Sequence, residues 1–544
     1  MRKISGALLV IAWTQMLSIA MAVSQTTGEP VYASACYNAI FLPPSEQYDY
    51  IIVGGGTAGC PLAATLSKNF KVLLLERGGL GYNVPTIEQQ EGFIANLINT
   101  HDPDSPAETF ISEEGVVNAR GRVLGGSSSI NAGFYSRAGL GYVREAGWDK
   151  ALVNESYTWV EKAVVSRPVL KRWQGAFRNG LFEGGLKPYN GFTVDHVKGT
   201  KIGGSTFDRH GRRHSSKDLL QHANYNNLRV GLHATVYRIL FHDRNPERPG
   251  NVSTRPRAYG VEYKDSNGLV HTAVLSHNGG DIIISSGALG SPQLLLLSGV
   301  GPKEHLDSLG IPVVLDLPGV GQGMADNPRN GIALLSSLPL EYSLIQVVGI
   351  TETNFIEASS IPIQIPFGGR YAYLGTIIEK VVGPLSKGEL RLRTGDIEDK
   401  PSVRFNYFSH PQDIQNCVDG LRTIGKILKT SSLKSYTLSF IGPPLPANTS
   451  NFTAMEEFCR DTVSTIWHYH GGCQVGSVVN EDYRVKGIDS LRVIDGSTFN
   501  KSPGTNPQAT VMMLGRYMGM QVLKERLSNS KQNCQYHKFS QLVT

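Results

Sequence analysis

The stretch YDYIIVGGGTAGCPLAATLSKNFKVLLLERG, Tyr48 to Gly78, decides the fold. A β-rich run, Tyr50 to Val53, stops at Gly54-x-Gly56-x-x-Gly59. A helical pattern follows with Pro61 in its first turn, where the missing N–H costs nothing. A second strand, Val72 to Leu75, then ends on Glu76. The three glycines have separate roles: a tight turn, close approach of backbone to a pyrophosphate, and close packing of helix on strand. The helix N-terminus supplies N–H donors and the positive end of a dipole. Glu76 lies 20 residues after Gly56, where a carboxylate accepts the hydroxyls of a ribose. A glycine turn alone is common, and an ordinary βαβ turn is the competing reading. The frame of strand, helix, strand and terminal acid favours a dinucleotide site.

Outward from that stretch, 544 residues with 40% hydrophobic content make a globular chain long enough for two or three domains. The net charge is +6 and the basic residues are dispersed, so nothing marks a nucleic-acid footprint. Arg2 and Lys3 precede an apolar run from Ala7 that ends in Ala20-Met-Ala22, the pattern of a secretory signal over residues 1–22. An uncleaved anchor is the other reading, against which Gln15 and the short run argue. No other segment is apolar enough to span a bilayer. Sequons at Asn154, Asn251, Asn448, Asn451 and Asn500 fit export and N-glycans. The 6 cysteines are too few for a disulfide scaffold, one or two bridges are plausible after export, and none has zinc spacing, so no metal site is assigned.

Further along, Arg120 to Gly133 is dense in small residues, which let backbone press against a large flat ligand; a loop without a ligand is the alternative. Strands alternate with turns from Asn226 to Val274, and Asp281 to Gly287 repeats the strand-to-glycine pattern before a helix over Ala288 to Leu297. Residues 330–460 show β-branched and aromatic alternation, as in a second, sheet-containing domain. A last helix over Ala509 to Glu525 carries Met512, Met513 and Met518, read as core. In Ile466-Trp-His468-Tyr-His470-Gly-Gly-Cys473 the two histidines would face opposite sides of an extended segment. One is a candidate base and the other structural.

These blocks, in this order, resemble the glucose–methanol–choline (GMC) flavoprotein oxidoreductases from about Tyr48 to Glu525. Both family signatures are present: Gly121-Arg-Val-Leu-Gly-Gly-Ser-Ser-Ser-Ile-Asn131 and Gly287-Ala-Leu-Gly-Ser-Pro-Gln-Leu-Leu-Leu-Leu-Ser-Gly-Val-Gly301. Details resemble the plant branch that contains HOTHEAD and the flavin-dependent mandelonitrile lyases. The resemblance implies an α/β fold: a Rossmann-like FAD-binding domain from 45–140, 200–325 and 465–530, and an α+β substrate domain from 141–199 and 326–464 on a mostly antiparallel sheet. It implies FAD, with Gly54, Gly56, Thr57, Ala58 and Gly59 at the pyrophosphate and Glu76 and Arg77 at the ribose end. Val123, Ser127, Asn131, Ala132, Gly133 and Phe134 would lie along the flavin, and Val236 would meet the adenine end. Trp467, Asp495, Gly496, Pro507 and Gln508 would close the isoalloxazine side. Some relatives attach FAD through a histidine where this chain has Ile130, so the expectation is a non-covalent flavin. Cys417 and Cys459 match a disulfide of the plant branch; two buried thiols are the alternative.

His468 matches the family's catalytic histidine and Asn506 its partner. Alcohol oxidation needs a base for the hydroxyl proton, and imidazole suits that task. A second donor at 506 would hold the alkoxide-like oxygen in line. Cyanohydrin cleavage uses the same pocket, but the lyases of this branch carry a tyrosine before the Trp-His pair and a second histidine before Pro-Gln. This chain has Ile466 and Asn506 there, as HOTHEAD-like proteins do. The reading is a secreted oxidoreductase acting on a small-molecule alcohol, with the hydroxynitrile lyase as runner-up and a redox-silent binding protein as a third reading. Ser435 to Phe458 looks shorter than the matching part of the plant relatives, a part expected to wall the substrate pocket. Nothing in the chain names the electron acceptor.

Overall fold

Six short strands lie parallel in the order Cys36–Asn38, Leu228–Leu232, Val72–Glu76, Tyr50–Val53, Asp281–Ile284 and Leu491–Val493. The computed structural model describes residues 28–541, apart from 44–45, 99, 101–104, 243–254, 277–278 and 368–369. The expected signal segment and the sequon at Asn251 lie outside the described residues.

The strands are continuous apolar runs because both faces of this sheet are covered. Ile51, Val53, Leu73, Leu75, Ile282 and Ile284 point to one side, towards the helix Gly287–Leu297 and an adjoining four-stranded sheet. Tyr50, Ile52, Val72, Leu74 and Ile283 point to the other, towards the helices Gly59–Leu66 and Gln508–Gln541. Full burial of each such aliphatic side chain contributes about 2 kcal/mol. Met512, Met513 and Met518 sit inside this second core, and their helix continues well past Glu525.

The second layer is a larger sheet in the order Ser439–Ile441, Pro328–Ser336, Arg370–Val381, Asn354–Phe367, Val347–Ile350, Gly199–Ile202 and Tyr189–Phe192. It is antiparallel except between its last two strands. The helices Arg172–Glu183 and Pro411–Leu428 cover its outer face through Trp173, Phe177, Leu181, Leu421 and Ile424. The segment 141–199 is shared between the layers. Its helix Lys150–Val164 packs beside the parallel sheet against Gln508–Gln541, whereas Tyr189–Phe192 and Gly199–Ile202 belong to the large sheet.

Cys417, on the helix Pro411–Leu428, is disulfide-bonded to Cys459, on Phe452–Thr462. Among the described residues Cys36, Cys60 and Cys473 are free, no helix is long and apolar enough to cross a membrane, and no group of three metal-ligating side chains gathers. The bridge closes a 42-residue separation, worth about 4 kcal/mol in a chain-entropy account. Replacing both Cys417 and Cys459 with serine should therefore lower the unfolding free energy by about 2–5 kcal/mol, read from denaturant curves under non-reducing conditions. A midpoint equal to that of the parent would show that the bridge restrains nothing.

Candidate active site

The carboxyl ends of five parallel strands converge on one cavity of about 720 Å³, lined there by Val53 and Gly54, Glu76, His233, Ser285 and Asp495. This is where a doubly wound sheet leaves room for a ligand. Gly54 turns the chain at φ +107°, and a Cβ there would lie 2.5 Å from Ser285 O. Gly59 packs the helix on the turn: its Cβ would lie 2.0 Å from Gly54 O, and it is behind the cavity wall rather than on it. Gly56 is different. A Cβ on it would meet nothing nearer than Ser285 O at 3.8 Å, so the space beside it is empty and faces Gly126 of the first signature. Gly56, Thr57 and Ala58 line that space at the start of the helix Gly59–Leu66, where Cys60 N–H donates to Gly56 O and Leu62 N–H to Ala58 O, both at 3.2 Å, and Pro61 has no N–H.

Glu76 lines the same end. It accepts hydrogen bonds from Gly55 N–H and Gly78 N–H, both at 2.9 Å, and burial pushes its pKa up against those donors. Arg77 and Arg120 grip Glu108 at 2.8 and 2.6 Å. Burial would raise the Glu108 pKa, but the two guanidinium groups hold it well below the usual carboxylate range. A glycine cradle at the start of a helix and an acid at the neighbouring strand end are the features that a dinucleotide site requires, so the residues fit that group.

The residues expected on the flavin side are stitched across the chain. Asn131 Nδ2 donates to Gln508 Oε1 at 2.8 Å, Gln508 Nε2 donates to Phe134 O at 2.7 Å, and Asn131 Oδ1 accepts from Gly133 N–H at 2.9 Å. Asp495 Oδ2 accepts from Gly287 N–H at 2.8 Å and its Oδ1 from Ser497 N–H at 2.7 Å, which ties the second signature to the C-terminal block. Ser127, Ala132, Val236, Gly496 and Pro507 also line the cavity. Val123 does not; it is buried with Ile87, Ala107 and Ile130.

The histidine segment is a strap, not an extended strand. His470 pairs through its backbone with Ala325 in both directions, at 2.8 and 2.9 Å, and Asp326 Oδ1 accepts the His468 N–H at 3.0 Å. Trp467 takes φ +61°, a left-handed conformation that costs about 1 kcal/mol or more outside glycine. Its ring is held between the guanidinium of Arg329, 5.5 Å from the ring centroid, and the edge of Phe93. That twist turns His468 onto the cavity wall, with Asn506 Nδ2 3.3 Å from His468 Nε2. His470 stays off the wall, with Nδ1 3.0 Å from His468 O. Burial first, then the charge of Lys380 and the neighbouring His470, hold the His468 pKa well below that of a free imidazole. That shift favours the neutral imidazole. Burial pushes Asp326 up to about 6 despite its bonds from Tyr407 and His468.

Beyond His468 the cavity is walled by the large sheet and the loops at its edge, with Leu344, Ile345, Ile361 and Ile378 among the lining residues. No residue between 435 and 458 lines it, so the short stretch in that region does not shape the wall. Asp326, Arg329, Lys380 and His233 were not singled out from sequence. The one signal is a charged pair, Glu379-Lys380, directly after Ile377-Ile378 in the strand Arg370–Val381.

Family models described as GMC oxidoreductase match residues 48–329 and 384–515. The chain is 52% identical to an Arabidopsis thaliana protein named "(R)-mandelonitrile lyase-like", over 97% of this chain and 100% of the relative. It is 48% identical to Protein HOTHEAD of the same plant, over 89% of each. It is 46% identical to a sinalpyl alcohol oxidase of Nesocodon mauritianus, over 93% of this chain and 94% of the relative. Among solved structures, a formate oxidase superposes with a TM-score of 0.76 at 21% identity, covering 89% of this chain and 99% of that one. A pyridoxine 4-oxidase superposes with a TM-score of 0.73 at 22% identity, covering 87% and 98%. At those identities the structural likeness speaks for the fold.

The glycine geometry separates folding from ligand binding. Gly56→Ala should fold with an unchanged circular dichroism spectrum but retain under about a tenth of the dinucleotide cofactor, because its methyl group occupies the empty cradle. Gly54→Ala should fail to give soluble protein, because its Cβ collides with backbone at 2.5 Å. Full cofactor occupancy in Gly56→Ala would place the pyrophosphate elsewhere.

Proposed function

The chain belongs to the GMC oxidoreductase family, and from that premise we propose that it is a secreted, FAD-dependent enzyme that oxidises an alcohol, with His468 as the base. The observation that carries this reading is the His468–Asn506 pair, 3.3 Å apart on the wall of the cavity that also receives the glycine turn and Glu76. The backbone at Gly56, Thr57 and Ala58 holds the pyrophosphate, Glu76 the ribose, and Asn131 to Phe134 with Pro507 and Gln508 the flavin end, without a covalent link. FAD, when bound, supplies the acceptor for the hydride that leaves the carbinol carbon. His468 Nε2 takes the hydroxyl proton, and Asn506 Nδ2 donates to the oxygen as negative charge grows on it. Leu344, Ile345, Ile361 and Ile378 on the wall favour a substrate with an apolar body, and the resemblance to the HOTHEAD branch implies hydroxy fatty acids. The described sequon residues Asn154, Asn448, Asn451 and Asn500 are exposed, in keeping with N-glycans on an extracellular protein.

The kinship with mandelonitrile lyases favours one second reading, cyanohydrin cleavage at the same pair without net oxidation. Anaerobic mixing distinguishes the two. An alcohol that bleaches the visible flavin band supports oxidation, whereas mandelonitrile yielding benzaldehyde and cyanide without bleaching supports the lyase. Purified protein with no flavin band would leave only a binding role. Acid precipitation should release all the flavin into the supernatant; flavin retained in the pellet would mean a covalent bond.

His468→Ala should lower turnover by about a hundredfold or more. Because the His468 pKa is depressed, the base is already unprotonated at the pH where a free imidazole titrates. The acid limb of kcat/KM assigned to it should therefore fall below about pH 6.5. A limb above that value, or a milder loss in His468→Ala, would assign the proton transfer to another group.

A further inference from the structure

Behind the pair that faces the cavity lies a lysine with no contact to the cavity itself. Lys380 is fully buried on the strand Arg370–Val381. Its ammonium group pairs with Glu357 Oε1 at 2.9 Å, donates to Asn506 Oδ1 at 3.2 Å and to Thr505 O, and sits over the ring of Phe355. A lysine ammonium has three protons to give and no lone pair to offer. Two of them go to Thr505 O and Asn506 Oδ1, and the Glu357 carboxylate stands beside the ammonium as its counter-charge. Burial pushes the Lys380 pKa down, and the Glu357 carboxylate beside it opposes that shift.

That arrangement settles which way the Asn506 amide points. Only an oxygen can face Lys380, so the Asn506 NH2 group is directed at His468, and its N–H can meet Nε2 only if Nε2 carries a lone pair. The neutral imidazole must then hold its proton on Nδ1. We propose that Lys380, anchored by Glu357, is a positioning residue that orients the Asn506 amide and thereby holds His468 in the tautomer whose Nε2 accepts a proton. This rests on the reading of His468 as the base. Lys380 acts through Asn506 and touches no reacting atom. Glu379, its neighbour in sequence, points to the opposite face of the strand, accepts from Asn354 and takes no part. The other charged or titratable groups around His468 are Asp326, which accepts its N–H, His470, which meets its carbonyl, and Arg329, which packs on Trp467.

Removing Lys380 alone would strand a buried carboxylate, so the informative variant is Lys380→Met combined with Glu357→Met, which removes both charges at similar volume. Long-range proton–nitrogen NMR of the histidine-labelled, flavin-containing protein reads the tautomer directly, with His468 identified by the signals lost in His468→Asn. The parent should show the proton on Nδ1. The double variant should show a population with the proton on Nε2, and a protonation midpoint raised towards that of a free histidine. A parent with its proton on Nε2, or a double variant identical to the parent, overturns the proposal. This readout needs no substrate, so it stands whether or not alcohol oxidation is found.

With an alcohol that the parent oxidises, the double variant should lose about tenfold or more in kcat while KM changes little. In an Asn506→Ala background the same two substitutions should change kcat by less than about twofold, the mark of a residue that acts through another. Fully additive losses would contradict the positioning role. Should the double variant fail to retain flavin, the tautomer of the parent decides alone.

Discussion

The whole arrangement depends on the absence of side chains where two loops meet. The turn after the first strand and the turn of the first signature approach so closely that a Cβ on Gly126 would lie 2.9 Å from Gly56 Cα. No other residue type permits that separation, and it leaves the start of the helix Gly59–Leu66 open to the cavity. The parallel sheet delivers its strand ends to the opening, and the large sheet approaches from the far side with Arg329 and Lys380 on adjacent strands.

The half of the site nearest the glycine turn was legible in the sequence because local chemistry specifies it. The spacing of Gly54, Gly56 and Gly59 and the position of Glu76 follow from one βαβ unit, and the structure brings Gly54, Gly56 and Glu76 to one wall. The family resemblance carried His468 and Asn506, whose proximity no local pattern reveals because 38 residues separate them. It also carried the bridge between Cys417 and Cys459, which the structure contains. At the histidines the alternation agrees with the outcome, His468 on the cavity wall and His470 off it, but the segment is bent just before them. Trp467 leaves the extended region, and the bonds to Ala325 and Asp326 then fix where the pair sits. Lys380 and Arg329 lay beyond reach, because a charge inside a strand says nothing about which distant group it meets.

Electrostatics and packing point the same way around His468. Its burial removes the solvation that would stabilise a charged imidazole, and Lys380 adds a like charge behind it. The cost of burying that cation is offset by Glu357, two carbonyl oxygens and the face of Phe355. On the proposed reading, an imidazole favoured in its neutral form and an amide beside it suit the removal of an alcohol's proton as its carbinol carbon is oxidised.

The most direct test is a crystal structure of the purified, yellow protein. The account predicts an isoalloxazine ring in the cavity between residues 131–134 and 506–508, its reactive nitrogen facing His468 and Asn506, with the pyrophosphate against Gly56. A ring bound elsewhere, or a His468 imidazole turned away from it, would contradict the account at its root.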